Sequence, residues 1–203
     1  MIRTHSTFNN AELDYLRLLA REYPTEQSVA TERLLLRQFT IEDSQAMYTN
    51  WATDDKVTAY LTWPTHTSEE VTKSILNDWV DSYKKPDTYH WAITLKSFNN
   101  QPIGRITVVE LREKAKVAQL GYCIGSKWWH QGLTSEAFNA VKDFLFDEVG
   151  FNRIEAKHDI NNPNSGKVML KCGLKYEGTL KQAYWNNNGI CDCSIYGLVN
   201  QDR

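Results

Sequence analysis

The sequence predicts an α+β domain on a mixed α/β sheet, and three observations carry that prediction. Strand-like segments follow one another from Tyr89 to Ile124. A helical segment then separates two more strands, and a terminal strand pair is joined by a turn at Asn186-Asn187-Asn188-Gly189. At 203 residues, with 41% hydrophobic, 24% charged and 12% aromatic side chains, the chain suits one ordinary globular domain and is not largely disordered.

In chain order, Asn9 or Asn10 caps a helix whose Leu13, Leu16, Leu19 and Tyr23 draw one apolar stripe before Pro24 stops it. Residues 1–30 thus form an N-terminal helical extension, with Gln27 to Glu32 as a polar connector, and residues 31–203 the main domain. Arg33 to Phe39 is the first strand. Thr40 and Asp43 have the spacing of a helix start, followed by a helix over Ala46, Met47 and Trp51. Thr67 and Glu70 make a capping box for a helix carrying Val71, Ile75, Trp79 and Tyr83. Tyr89 to Leu95, Ile103 to Leu111 and Val117 to Ile124 read as an antiparallel meander, its first turn at Asn99-Asn100-Gln101-Pro102. A helix from about Ser135 to Val149 turns Ala137, Val141, Phe144 and Leu145 inward and ends at Gly150. Arg153 to His158 is a strand, Ser165 to Cys172 a short helix closed by Gly173, and the last strands lie around Tyr176 and Ile195. The crossover through the Ser135 helix forces Val117–Ile124 and Arg153–His158 to run parallel, and a crevice at the ends of such strands is where ligands lie in open sheets.

Lys and Arg number 23 against 25 Asp and Glu, a formal charge of −2, so no basic field exists for nucleic acid or an anionic membrane. No apolar run approaches the roughly 20 residues of a membrane span. Met1 to Asn10 lacks the apolar core of a signal peptide, so a cytoplasmic location is expected. Cys123, Cys172, Cys191 and Cys193 lack metal-knuckle spacing; reduced, buried thiols and no metal are expected.

The segment Gly121 to Ala137 carries the most chemistry: a strand, a loop ending in Gly132, and a helix N-terminus whose free amides and dipole suit a phosphate or pyrophosphate. On physics alone, an ordinary strand-to-helix connection with Trp128 and Trp129 packing is the competing reading, since neither a Walker nor a dinucleotide glycine pattern is present.

Trp129-His130-Gln131-Gly132-Leu133-Thr134-Ser135-Glu136-Ala137 resembles the W-G-Q-G-Y-A-T-E-A signature of GNAT acetyltransferases, in particular the ribosomal-protein N-acetyltransferase (RimJ/RimL-like) branch. Thr31 to Arg37 resembles that branch's T-E-R-L-x-L-R opening, and Leu120-Gly121-Tyr122 its strand before the loop. Asn162 to Ser165, Lys171 to Leu174 and Tyr176 to Leu180 are similar to its N-x-x-S, K-x-G-F and Y-E-G-x-L blocks, so the resemblance runs from Thr31 to about Val199. It implies a GNAT acyl-CoA N-acyltransferase fold, an antiparallel meander plus a splayed parallel pair, and direct attack by an amine on acetyl-CoA.

By the same resemblance, the backbone of Cys123 and Ile124 pairs with the pantetheine arm, with the Ile124 amide toward the thioester oxygen. The loop and helix start at His130, Gln131, Gly132, Leu133, Thr134 and Ser135 take the pyrophosphate. His130 stands where glycine is usual, either crowding the phosphate or adding charge to it, and Thr134 replaces a small residue. Asn162 binds pantetheine, and Ser165 donates to the departing thiolate; helix capping is the plain alternative for both. Glu110 is the first candidate base, against a surface pairing with Arg112 or Lys114. Tyr184, where the branch sometimes has glutamate, orders water or donates a hydrogen bond but is a poor base near neutrality; His90 and His158 remain open as bases.

The expected acceptor is an amine, in first place a protein N-terminal α-amine. A small-molecule amine such as a polyamine, aminoglycoside or amino acid derivative is the alternative, for which Asp54-Asp55 near the Trp51–Pro64 segment speaks. A non-catalytic acyl-CoA-binding module is the reading of another class. Tyr60 and Trp63 are candidate walls of the acceptor site. The stripe on the first helix suits either the acceptor cleft or a second subunit, so a homodimer stays open.

Overall fold

The computed structural model describes residues 3, 4, 28–85 and 87–203. A sheet of nine strands among these residues is built from β1 (Arg3–Thr4), β2 (Val29–Ala30), β3 (Leu34–Arg37), β4 (His90–Leu95), β5 (Gln101–Arg112), β6 (Val117–Ile124), β7 (Arg153–Asp159), β8 (Lys175–Asn186) and β9 (Gly189–Val199). Their spatial order is β1-β2-β3-β4-β5-β6-β7-β9-β8. Helices α1 (Ser44–Met47), α2 (Asp55–Thr58) and α3 (Glu69–Ser82) cover one face; α4 (Leu133–Phe144) and α5 (Pro163–Lys171) cover the other.

The expected meander is present, β4–β5–β6 pairing antiparallel in sequence. The crossover through α4 makes β6 and β7 parallel, as strand chemistry requires. Their register runs from Val117↔Arg153 to Leu120↔Ala156 and stops, leaving Gly121–Ile124 without a β7 partner among the described residues. β9 then lies antiparallel on the far side of β7. The strands therefore part as a V that opens toward the loop before α4.

Two expectations shift, and a third falls on residues that are not described. The polar connector Gln27–Glu32 contains β2, whose Val29 and Ala30 are buried and pair antiparallel with β3. The expected helix over Leu13 to Tyr23 lies outside the described residues. Helix α3 is capped by Ser68, not Thr67: Ser68 is extended (φ −154°, ψ 166°) and its hydroxyl accepts from Val71 N at 3.4 Å. In α3 Thr72 and Leu76 are buried and Val71 is exposed, while Trp79 and Tyr83 keep their inward side. Ser68→Ala is expected to lower stability by about 1 kcal/mol and Thr67→Ala by less than about 0.5 kcal/mol in urea titrations.

At the other predicted cap, Thr40 N donates to Asp43 Oδ2 at 2.9 Å. The same carboxylate accepts both terminal nitrogens of Arg37 at 2.7 and 2.8 Å, a buried bidentate pair that explains aspartate where a capping box usually holds glutamate.

The two apolar clusters follow strand alternation. Ala118, Leu120 and Ile124 of β6 face α4 with Phe138 and Val141, whereas Cys123 faces Phe39, Trp51 and Leu76 on the α1–α3 side. All four predicted thiols are free and buried. Among the described residues no helix is long and apolar enough to cross a membrane, and no cluster of three or more His, Cys, Asp or Glu is placed to hold a metal.

Candidate active site

The V between β6 and β7 has one edge that is chemically open. Gly125 N donates to Ile103 O at 2.9 Å, toward β5. Successive amides of a strand point to opposite edges, so Tyr122 and Ile124 present theirs to the opening and Cys123 presents its own to β5. Of the expected backbone pair, Ile124 turns its amide to the opening, as Tyr122 does, while the Cys123 amide points into the β5 ladder. Ile124 O is taken by the Trp129 indole N–H at 2.9 Å, which ties the loop to the strand's end.

The expected diphosphate loop lies at the mouth of the V. Gly132 has φ +77° and opens α4, so the first-turn amides from Leu133 to Ser135 have no intrahelical acceptor. A Cβ at Gly132 would lie 3.7 Å from both Arg33 Nη2 and Lys171 Nζ, which puts two cations beside those amides. Sequence reasoning missed both, although each sits inside a quoted motif block. Gln131 contributes backbone, its carbonyl accepting Arg33 Nη1 at 2.9 Å. His130 has φ +61°, a region that favours glycine, the residue the resemblance puts there; its imidazole is exposed. Thr134 is half-buried and Ser135 buried.

Arg33 is itself fastened by Glu136, whose Oε2 accepts Arg33 Nε at 2.7 Å and whose Oε1 takes Arg33 N and the Thr31 hydroxyl. Burial opposes ionisation of Glu136, and the bonds from Thr31 and Arg33 outweigh it, holding the carboxyl below its ordinary 4.5. Its contribution to stability is complete above pH 4.5 and lost as pH falls through the lowered folded value. The melting temperature is therefore expected to drop more between about pH 6 and about pH 3 in the native chain than in Glu136→Gln.

On the far side of the V, Asn162 ends the β7–α5 turn and its side-chain amide has no partner among the described residues. Ser165, in the first turn of α5, has its Oγ 2.9 Å from the Tyr122 phenol oxygen, and Tyr122 also donates to Ser165 O at 2.9 Å. Burial raises Tyr122 above its ordinary 10, so the phenol keeps its proton at any physiological pH. The pair bridges β6 to α5 across the back of the crevice, and Tyr122 is a third residue that sequence reasoning left without a role.

The α1–α3 face of the V carries the expected base Glu110 and the expected wall Trp63, and is the candidate acceptor side. A bulge in β5 sets Glu110, not Val109, opposite Gln119, one residue before the strands part. Strict alternation from Thr107 would have turned Glu110 to the other face; the bulge turns it toward the acceptor side. Its carboxylate is half-exposed and 3.7 Å from Arg112 Nε, while Arg112 also pairs with Glu155. Tyr184 lies over Lys157 of β7, with the ammonium 4.4 Å from the ring centre, and burial raises its phenol pKa. His90 is 6% exposed among Phe39, Trp79 and Tyr83; burial, then the Arg105 charge, hold its pKa well below 6.5, so it is a weak base. His158 faces α5 and Tyr196, away from the acceptor side.

A strap roofs this face. The Asn187 side chain donates to Thr58 O and Trp63 O, Asn188 donates to Ala59 O, all at 2.8 Å, and the Tyr60 hydroxyl donates to Asn161 O at 2.9 Å. Trp63, one of the two expected acceptor walls, is thereby fixed over this face. Asp54 and Asp55 are engaged elsewhere, accepting from Lys56 N and the Thr65 hydroxyl.

Comparison with known proteins adds identity to this geometry. Residues 33–175 match the acetyltransferase (GNAT) domain family. The chain is 30% identical over 169 residues to the uncharacterized N-acetyltransferase YoaA of Bacillus subtilis (strain 168), covering 83% of this chain and 94% of that protein. It is 30% identical over 97 residues to the ribosomal-protein-serine acetyltransferase of Escherichia coli (strain K12), 48% of this chain and 54% of the relative. Among solved structures, RimL, a ribosomal L7/L12 alpha-N-protein acetyltransferase in complex with coenzyme A, superposes with TM-score 0.74 at 21% identity, covering 83% of this chain and 94% of that one, a likeness of fold. The chain belongs to the GNAT family of acetyl-CoA-dependent N-acetyltransferases and is related to its ribosomal-protein acetyltransferases.

Proposed function

We propose that the chain acetylates the α-amine at the N-terminus of a protein or peptide, and that the V between β6 and β7 holds acetyl-CoA for that reaction. The observation that carries this reading is the pair of Tyr122 and Ile124 amides, turned to the opening with no strand partner among the described residues, leading to the Gly132 amides flanked by Arg33 and Lys171. Such an edge takes the pantetheine amides as an added strand, and the helix start takes the diphosphate.

In the reaction the neutral amine attacks the thioester carbonyl and the Ile124 amide stabilises the oxyanion. The carbon–sulfur bond then breaks as the carbonyl re-forms. Ser165, polarised by Tyr122, donates to the leaving thiolate, and the proton lost by the amine passes through water to Glu110. Asn162 holds the pantetheine arm, and Tyr184 orders water opposite Glu110. Holding the amine and thioester in attack geometry supplies most of the acceleration, on the order of several kcal/mol.

The kinship with a ribosomal-protein-serine acetyltransferase supports a polypeptide acceptor. The engagement of Asp54 and Asp55 in helix capping and loop bonds removes the support for a cationic small amine. The test is calorimetric titration with coenzyme A followed by thiol release from acetyl-CoA over a panel of N-terminal peptides and free amines. Saturable coenzyme binding with turnover on peptides is expected. Turnover confined to polyamines or aminoglycosides, or binding without turnover on any amine, overturns the reading.

A further inference from the structure

We infer that Arg105 is an anion clamp in the acceptor site, so that the preferred acceptor carries a carboxylate a few bonds from its attacking amine. This rests on the acetyl-transfer reading above, whichever α-amine is the acceptor, and adds a carboxylate to what the acceptor must carry.

Of the arginines whose side chains are described, Arg33, Arg37, Arg112, Arg153 and Arg203 each pair with a carboxylate. Arg105 forms no ion pair among the described residues. It is half-buried, directly opposite Cys123 on the strand next to β6, and on the acceptor face. Its guanidinium stacks 4.7 Å from the Trp79 ring centre and 5.8 Å from that of Trp63, the residue fixed by the strap. Two flat indoles orient the fork without satisfying its five N–H donors. Around it, Trp63 Nε1 and His90 Nε2 are buried and have no hydrogen-bond partner among the described residues.

A half-buried cation and an idle indole N–H, held rigid beside the reacting strand, have the chemistry of a carboxylate receptor. Across the V, Lys157 also lacks an ion pair among the described residues, so positive charge borders the acceptor space on both strands. Adjacent strands are roughly 5 Å apart, which sets the amine-to-carboxylate separation at a few bonds. Two sources fit: the α-carboxylate of a free amino acid, or the side chain of an acidic first residue in a peptide.

Two matched pairs decide between them: a free amino acid against its carboxamide, and a glutamate-initiated peptide amide against its glutamine counterpart. The acid is expected to lead its amide by about 30-fold in kcat/KM in one pair, which names the source, and Arg105→Gln is expected to erase that ratio. Arg105→Lys keeps the charge without the fork, retains part of the preference, and is the control if Arg105→Gln folds poorly. Equal rates within both pairs, or equal losses for acid and amide in Arg105→Gln, overturn the clamp. If coenzyme A binds but no member turns over, the acetyl-transfer reading fails separately. Tryptophan fluorescence, read on the coenzyme-bound protein, then decides the clamp: a saturable change with acid, absent with amide and lost in Arg105→Gln, supports it, and no saturable change overturns it.

Discussion

Gly132→Val is expected to weaken coenzyme A binding by about 300-fold in calorimetric titration while leaving the chain folded. The residue sits at φ +77°, where an L side chain costs roughly 1–2 kcal/mol. A branched side chain there enters the space 3.7 Å from Arg33 Nη2 and Lys171 Nζ, the volume that an anion would fill. It also shifts the first-turn amides of α4, so amide bonds and both cations are compromised together. Two or more charge-assisted hydrogen bonds of about 1.5–3 kcal/mol each account for the magnitude. The α4 core face of Leu133, Ala137, Phe138 and Val141 is untouched, so the melting transition stays cooperative. Gly132→Ala brings the backbone strain with less obstruction and is expected to fall between the two. Binding by the valine variant within about threefold of the native chain would mean that the diphosphate is held elsewhere.

Where local chemistry and tertiary structure agree, the sequence was readable. β6 was bounded at Val117 and Ile124 because its apolar run is flanked by Lys116 in a left-handed turn and by Gly125. The crevice followed from connectivity alone, since a helix between β6 and β7 permits only the parallel arrangement. The Ser68 cap was missed because Thr67 and Glu70 match the box pattern, whereas Ser68 has Val71 three residues on, and only the dihedrals of Ser68 decide which hydroxyl accepts. β2 was hidden because two buried residues, Val29 and Ala30, are too few to show alternation. The orientation of Glu110 depends on the Val109 bulge, a register event set by pairing with β6. The places of Arg33, Lys171, Tyr122 and Arg105 at the candidate site arise from contacts between segments far apart in the chain, such as Arg33 with Glu136 and Tyr122 with Ser165.

Ser165→Ala is expected to lower kcat about 100-fold with little change in the KM for acetyl-CoA, because a donor to the leaving sulfur acts only as the carbon–sulfur bond breaks. The geometry tells Ser165 from its neighbour. Tyr122 Oη lies 2.9 Å from both Ser165 O and Ser165 Oγ, and when its single phenol proton turns from the carbonyl to Oγ the serine proton is left free for sulfur. Tyr122→Phe removes only the polarising partner, so a loss of about tenfold is expected. A structural role in the α5 cap would depress all donors alike, whereas assistance to a leaving group matters less as the leaving group improves. With an aryl thioester, whose thiolate is far less basic than that of coenzyme A, the Ser165→Ala deficit is expected to shrink to about tenfold or less. An equal deficit on both donors would assign Ser165 to holding the turn, and the thiolate would then take its proton from water.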